Sequence, residues 1–145
     1  MSDSETKSEI SRRARNFARV REAHQTEVAE DYVELIADLI DRNGEARVTD
    51  LADRLGVTSA TVNNTIQRLQ RDNLVATQRY RSIFLTDDGR ALARASRARH
   101  DLVRDVLIKL GVDHETADAD AEGIEHHVSR KTLAAFRKFL QDIES

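Results

Sequence analysis

The chain has 145 residues, of which 39% are hydrophobic, 34% charged and 4% aromatic, with a formal net charge of -3. That length suffices for one compact core, or one core with a small satellite, and no apolar run approaches the ~20 residues needed to span a bilayer. Zero Cys excludes disulfides, thiolate nucleophiles and thiolate metal sites together, and "MSDSETKSEI" lacks the apolar centre of a secretory signal, so a cytoplasmic protein without a membrane partner is expected.

Residues 1–24 read as an N-terminal arm. Its first ten positions are polar and expected to be disordered, and "RRARNFARVR" at 12–21 carries five Arg and reads as a basic helix or arm. From about Gln25 to Arg42, Val33, Ile36, Leu39 and Ile40 recur at helical spacing, and Asn43-Gly44 supplies the stop. A second helix spans Val48 to Leu55. Gly56 allows a tight turn before Thr58 or Ser59 caps a third helix, whose Val62, Ile66 and Leu69 face inward. After Asn73 come two β-prone runs, Leu74 to Gln78 and Ser82 to Leu85, joined by "RYR" as a hairpin. Thr86 begins a helix with Asp87 and Asp88 in its first turn, where the helix dipole favours acids. This helix is expected to run past His100 to about Leu110 and stop at Gly111. A short helix near His114 to His127 and a last one from Arg130 to Ile143 complete the chain.

Helix, helix, turn, helix, hairpin, helix is the order of a winged helix-turn-helix. The fold class is therefore mainly α, with a winged helix-turn-helix DNA-binding domain at 25–95 followed by an all-helical domain at 96–145. In that architecture the second helix of the pair enters the major groove and the hairpin reaches the backbone beside it. With Val62, Ile66 and Leu69 inward, Ser59, Ala60, Thr61, Asn63, Asn64, Gln67 and Arg68 are left to face DNA. Asn and Gln can make two hydrogen bonds to an adenine edge, small groups can meet a thymine methyl, and Arg68 and Arg71 can hold phosphates. Arg79 and Arg81 occupy the hairpin tip. Charge is distributed to match: Arg54 to Arg99 holds nine Arg against three Asp, whereas Asp113 to Glu125 holds six acids and no Lys or Arg.

The acidic stretch contains "DAEGIEHHVS" at 120–129. On a helix, Glu122, Glu125 and His126 are related by i, i+3 and i+4 and share one face, with His127 about 100° further round and expected outside their site. Three groups are too few to hold a divalent ion without help. Asp31 and Glu34, an i, i+3 pair beside the apolar stripe of the first long helix, and His100 are the further candidates. Taken one by one these residues are also compatible with ordinary surface acids and a plain histidine. Carboxylates with imidazole and no sulfur suit manganese or ferrous iron, although the Irving–Williams order leaves zinc and copper admissible by affinity.

These residues resemble the diphtheria-toxin-repressor family of metal-dependent transcriptional regulators, in its manganese-transport-regulator branch. The likeness rests on "EDYVELI" at 30–36, "VTDLADRLGV" at 48–57, "IFLTDDGRALA" at 83–93, "RHDLV" at 99–103 and "DAEGIEHHVS" at 120–129. It implies a homodimer that binds palindromic double-stranded operator DNA, with two Mn²⁺ per subunit held between the domains by Asp31, Glu34, His100, Glu122, Glu125 and His126. Glu122 stands where iron-selective relatives place a Cys, which resembles the manganese branch; Fe²⁺ stays an alternative. A chain ending at Ser145 carries the expectation that the extra C-terminal domain of many iron-responsive members is missing. Ser59 replaces a Pro common at the start of the recognition helix, and Ser82 a Gly common in the wing.

The expected function is a manganese-responsive repressor of metal-uptake genes, not an enzyme, with no small organic ligand. Metal response is expected to weaken below pH ~6.5, because His must be neutral to bind. The competing reading from another class is a dinuclear-metal hydrolase, against which stand the short chain and the absence of an evident oxyanion cluster.

Overall fold

A computed structural model describes residues 4–78 and 82–144. The first helix, α1 (Lys7–Asn43), is 37 residues long. It begins far earlier than the periodicity around Val33 indicates, and the expectation of disorder through residue 10 is corrected from Lys7 onward. The cause is local: Thr6 and Glu9 form a reciprocal capping box, with Thr6 Oγ1 accepting from Glu9 N–H at 3.1 Å and Glu9 accepting from Thr6 N–H at 3.0 Å. No Gly or Pro interrupts the run to Asn43. Only the second half of α1 is packed, through Tyr32, Val33, Ile36 and Leu39, while Ile10 and Phe17 stay exposed. Gly44 closes the helix at φ 78°, and its N–H donates to Ile40 O at 2.8 Å.

A two-residue strand, β1 (Ala46–Arg47), precedes α2 (Val48–Leu55), which ends on the left-handed Gly56. Helix α3 (Ser59–Arg71) is capped by Thr58, whose hydroxyl accepts from Thr61 N–H. The hairpin is β2 (Val75–Thr77) with β3 (Ser82–Leu85), antiparallel in the register Val75↔Leu85 and Thr77↔Ile83. β1 adds to the other edge of β3, giving the order β1-β3-β2. Two residues are too few to produce an alternation, so β1 had no signal in the sequence.

Helix α4 (Asp87–Lys109) is capped by Thr86, and α5 (His114–Ile124) passes into a 3₁₀ turn at Glu125–His127 before α6 (Arg130–Glu144). Val33, Ile36, Leu39, Leu51, Val62, Leu69 and Ile83 form the fully buried heart of the winged unit. Each such aliphatic side chain stabilises the fold by roughly 1.5–3 kcal/mol. A second, smaller cluster gathers Val103, Ala121 and Leu133, flanked by Leu102, Leu107, Val128 and Phe136. Helix α4 serves both: Ala93 packs with the first cluster and Val103 with the second. The joint between the two halves is therefore α1 against α4 and the 3₁₀ turn. Among the described residues, no helix is long and apolar enough to cross a membrane.

Candidate metal centre and DNA-reading helix

The joint is where the acids and imidazoles meet. From α1 come Glu30, Asp31 and Glu34, from α4 Ser96, Arg99 and His100, from α5 Asp118 and Glu122, and from the 3₁₀ turn Glu125 and His126. Glu125 and His126 lie on the tighter turn rather than on a continuous α-helix, which modifies the expected single helical face. Their side chains are fully buried and diverge to two neighbours. Glu125 Oε1 lies 3.2 Å from His126 Nε2, and Oε2 lies 3.7 Å from His100 Nδ1. Asp31 Oδ1 approaches the same His126 Nε2 at 3.3 Å, and Glu122 Oε1 approaches His100 Nδ1 at 3.1 Å. Two clusters result, His126 with Asp31 and His100 with Glu122, and Glu125 is common to both.

The outer nitrogen of each imidazole is occupied. His126 Nδ1 donates to Glu30 Oε2 at 2.8 Å, and His100 Nε2 donates to Asp118 Oδ1 at 2.7 Å. Arg99 pairs with Glu30, and Ser96 Oγ donates to Glu125 Oε1 at 3.2 Å. These contacts orient the rings and set the tautomer of each neutral imidazole, so it is Nε2 of His126, once its proton has left, and Nδ1 of His100 that turn a lone pair inward. Among the described residues, four buried side-chain atoms lack a hydrogen-bond partner: Glu34 Oε1, His100 Nδ1, Glu125 Oε2 and His126 Nε2. Unsatisfied buried polar atoms cost about 1–3 kcal/mol each. Four in one cluster, all on ligand-type groups, form a donor set that fits a hard divalent cation.

Electrostatics express the same lack of compensation. Burial and the neighbouring Glu34 charge raise Glu125 to about 7, with His126 only partly opposing them. Burial also raises Glu34, assisted by the charges of Glu122 and Asp31. Burial disfavours a charged His126, yet the Asp31 carboxylate 3.3 Å from Nε2, the hydrogen bond to Glu30 and the charge of Glu125 outweigh it and push the imidazole up to about 10. For Glu30, too, burial opposes ionisation, and the His126 hydrogen bond and the Arg99 charge prevail, holding it below the usual range. Outward, Asp31, Glu34 and Glu122 line an open cleft shared with Arg54 and Arg97.

All six residues named from the sequence thus border one joint. Glu30, Ser96, Arg99 and Asp118 were missed. Asp118 stands four residues before Glu122, on the same helical face, and that spacing was a usable signal; Glu30 is adjacent to Asp31 and reads as one more surface acid until its burial is known. His127 lies away from the centre, 3.5 Å from Glu27.

On α3, Ser59, Ala60, Thr61, Asn63, Asn64, Gln67 and Arg68 are all exposed, opposite the buried Val62, Ile66 and Leu69. Arg79 and Arg81, expected at the hairpin tip, fall outside the described residues.

A winged helix-turn-helix joined to a buried carboxylate–imidazole cluster defines a class: DNA-binding regulators whose reading head is mounted on a cation site. Residues 24–83 match the iron dependent repressor N-terminal DNA binding domain, and residues 86–145 match the iron dependent repressor metal binding and dimerisation domain. The chain belongs to this iron-dependent repressor family of transcriptional regulators, which are DNA-binding proteins rather than enzymes. The transcriptional regulator MntR of Escherichia coli O6:H1 is 52% identical over 125 residues, covering 86% of this chain and 81% of that protein. The HTH-type transcriptional regulator MntR of Bacillus subtilis strain 168 is 36% identical over 115 residues, 79% of this chain and 81% of that protein. Among solved structures, a manganese-dependent transcriptional repressor in complex with manganese superposes with a TM-score of 0.70 at 30% identity, over 78% of this chain and 52% of that one. The manganese regulator SloR gives 0.68 at 26% identity, over 78% of this chain and 53% of that one. The chain spans about half the length of these two solved structures.

Proposed function

We propose that this chain is a cytoplasmic, manganese-responsive repressor of metal-uptake genes that binds a palindromic operator as a homodimer. Asp31, Glu34, His100, Glu122, Glu125 and His126 are its metal ligands, and two Mn²⁺ per subunit are the expected load. The observation that carries the reading is the set of four orphaned buried atoms on Glu34, His100, Glu125 and His126, framed by Glu30 and Asp118 on the outer ring nitrogens. Two clusters sharing Glu125 support two ions, and a donor set of oxygen and imidazole without sulfur supports manganese or ferrous iron.

Bound cations supply the positive charge that four converging carboxylates lack. The residues do the rest. Asp31 and Glu34 belong to the helix whose next turns, through Ile36 and Leu39, build the core under α3; Glu125 and His126 belong to the turn leading into α6. Holding these groups together fixes α3 relative to the helical domain, and so fixes the two reading helices of a dimer at the spacing of successive major grooves, roughly 34 Å. Without compensation, the same carboxylates repel and the joint loosens. Linkage requires operator DNA to tighten metal binding by the same factor, typically about 1–3 kcal/mol. The division into an arm at 1–24, a reading domain at 25–95 and a helical domain at 96–145 belongs to this proposal, with α4 crossing the second boundary without a break.

Gel retardation on an AT-rich palindrome with Mn²⁺, Fe²⁺, Zn²⁺ or chelator tests the reading. Retardation is expected with Mn²⁺, loss with chelator, and no metal response in Glu125→Ala. Metal-independent retardation, or an unchanged response in Glu125→Ala, refutes it.

A further inference from the structure

Glu27, whose carboxylate lies within 4.8 Å of donor atoms of Asp31 and His126 at the edge of the centre, is also the meeting point of a second cluster that faces outward. His24 Nδ1 lies 3.1 Å from Glu27 Oε2, and His127 Nε2 lies 3.5 Å from the same oxygen. The two imidazoles stand edge to face, 5.4 Å between centroids at 86°. All three donor atoms lie within 4.8 Å of one another. His24 and Glu27 are one turn apart on α1, and His127 closes the 3₁₀ turn, so the cluster joins the same two elements as the main centre by a separate route. An open cleft over it is lined further by Asp120, Gly123 and Ile124.

The geometry suits a small cation bound by nitrogen. Zinc bonds of about 2.0–2.1 Å in a tetrahedral site place neighbouring donor atoms about 3.3–3.4 Å apart, and the two nitrogen-to-oxygen separations bracket that value. Two imidazoles directed at one carboxylate oxygen are more than a hydrogen-bonded pair requires. The main centre differs in its donors, being rich in carboxylate, whereas two imidazoles with one carboxylate favour zinc, nickel or copper over manganese. Asp120 borders the open side, where it or water can complete the shell.

We propose that His24, Glu27 and His127 form a separate accessory site for a nitrogen-preferring transition ion, zinc above all, on the outer side of the joint. It pins the Glu27 turn of α1 to the 3₁₀ turn that carries Glu125 and His126. The site does not depend on the manganese reading.

The test is a Zn²⁺ titration against a chromophoric competitor, with the full chain, in wild type, His24→Ala and Glu125→Ala. The His24 side chain is 72% exposed, so its removal leaves the fold alone, and it avoids Glu27, which also lies near Asp31 and His126. Wild type is expected to take up one more Zn²⁺ per chain than His24→Ala, and the two to give the same Mn²⁺ titration. Glu125→Ala is expected to retain the His24-dependent equivalent while losing Mn²⁺ binding. Equal zinc uptake by wild type and His24→Ala overturns the proposal, as does loss of that equivalent in Glu125→Ala. Loss of operator binding in Glu125→Ala bears only on the main centre.

Discussion

Manganese binding is expected to expel protons, chiefly from His126 and Glu125, with Glu34, also raised by burial, adding to the number as pH falls. Before metal enters, His126 titrates at about 10 and Glu125 at about 7, and both must be deprotonated to act as ligands. At pH 8 these two groups together hold about one proton, nearly all of it on His126; by pH 6 Glu125 is about nine-tenths protonated and the count approaches two. Integrated from pH 8 to pH 7, that release weakens apparent Mn²⁺ affinity about 20-fold, or about 2 kcal/mol. The pH sensitivity therefore begins well above the ~6.5 expected for ordinary histidine, because Asp31 and Glu30 hold the His126 proton. Calorimetry in buffers of different ionisation enthalpy gives the proton count directly. No release at pH 8, or equal affinity at pH 7 and 8, would defeat the reasoning. Both raised groups also shape the stability of metal-free protein in the same direction. The Glu125 contribution is full below about pH 4.5 and fades as pH rises through about 7; the His126 contribution is full below about 6.5 and fades through about 10. Chelated protein should thus lose thermal stability as pH climbs, and the stabilisation added by Mn²⁺ should grow.

Glu30→Gln keeps an acceptor for His126 Nδ1 but removes the charge, and should weaken Mn²⁺ binding about 10–100-fold while reducing proton release at pH 8; electron paramagnetic resonance of free Mn²⁺ measures it, and an unchanged affinity would deny Glu30 its orienting role. Gly89→Ala would place a Cβ 2.0 Å from the Leu74 carbonyl oxygen at the start of α4. Since neither backbone yields easily, a loss of roughly 1–3 kcal/mol in urea unfolding is expected; a loss below about 0.5 kcal/mol would show that the α4 entry is softer than drawn. Gln67→Ala, on the exposed face of α3, should cost about 1–3 kcal/mol in operator affinity if it reads a base edge, with Mn²⁺ affinity and unfolding unchanged. An equal loss on scrambled DNA would reassign it to backbone contact.

Much of the architecture was written into local patterning. Val33, Ile36 and Leu39 mark the packed part of α1, Val62, Ile66 and Leu69 orient α3, and Thr58, Thr86 and Asn73 mark where elements begin and end. Such features are legible because they depend on neighbours three or four residues away. The ligand-type residues were legible too, as Glu122, Glu125 and His126 by spacing, and as a set of six by family resemblance. What packing alone decided is how these groups face one another. His126 meets Glu30 across 96 residues of chain, and His100 meets Asp118 across 18; no periodicity encodes which ring nitrogen is held and which is left open. The extension of α1 back to Lys7 and the pairing of β1 with β3 were similarly beyond a reading of apolar repeats. The first rests on a capping box before an exposed helix, and the second on a hydrogen-bonded edge two residues long. A sequence reports what each side chain can do along its own helix. Whether a carboxylate becomes a surface acid, a hinge for an imidazole or a cation ligand depends on burial, which exists only once distant segments have closed over it.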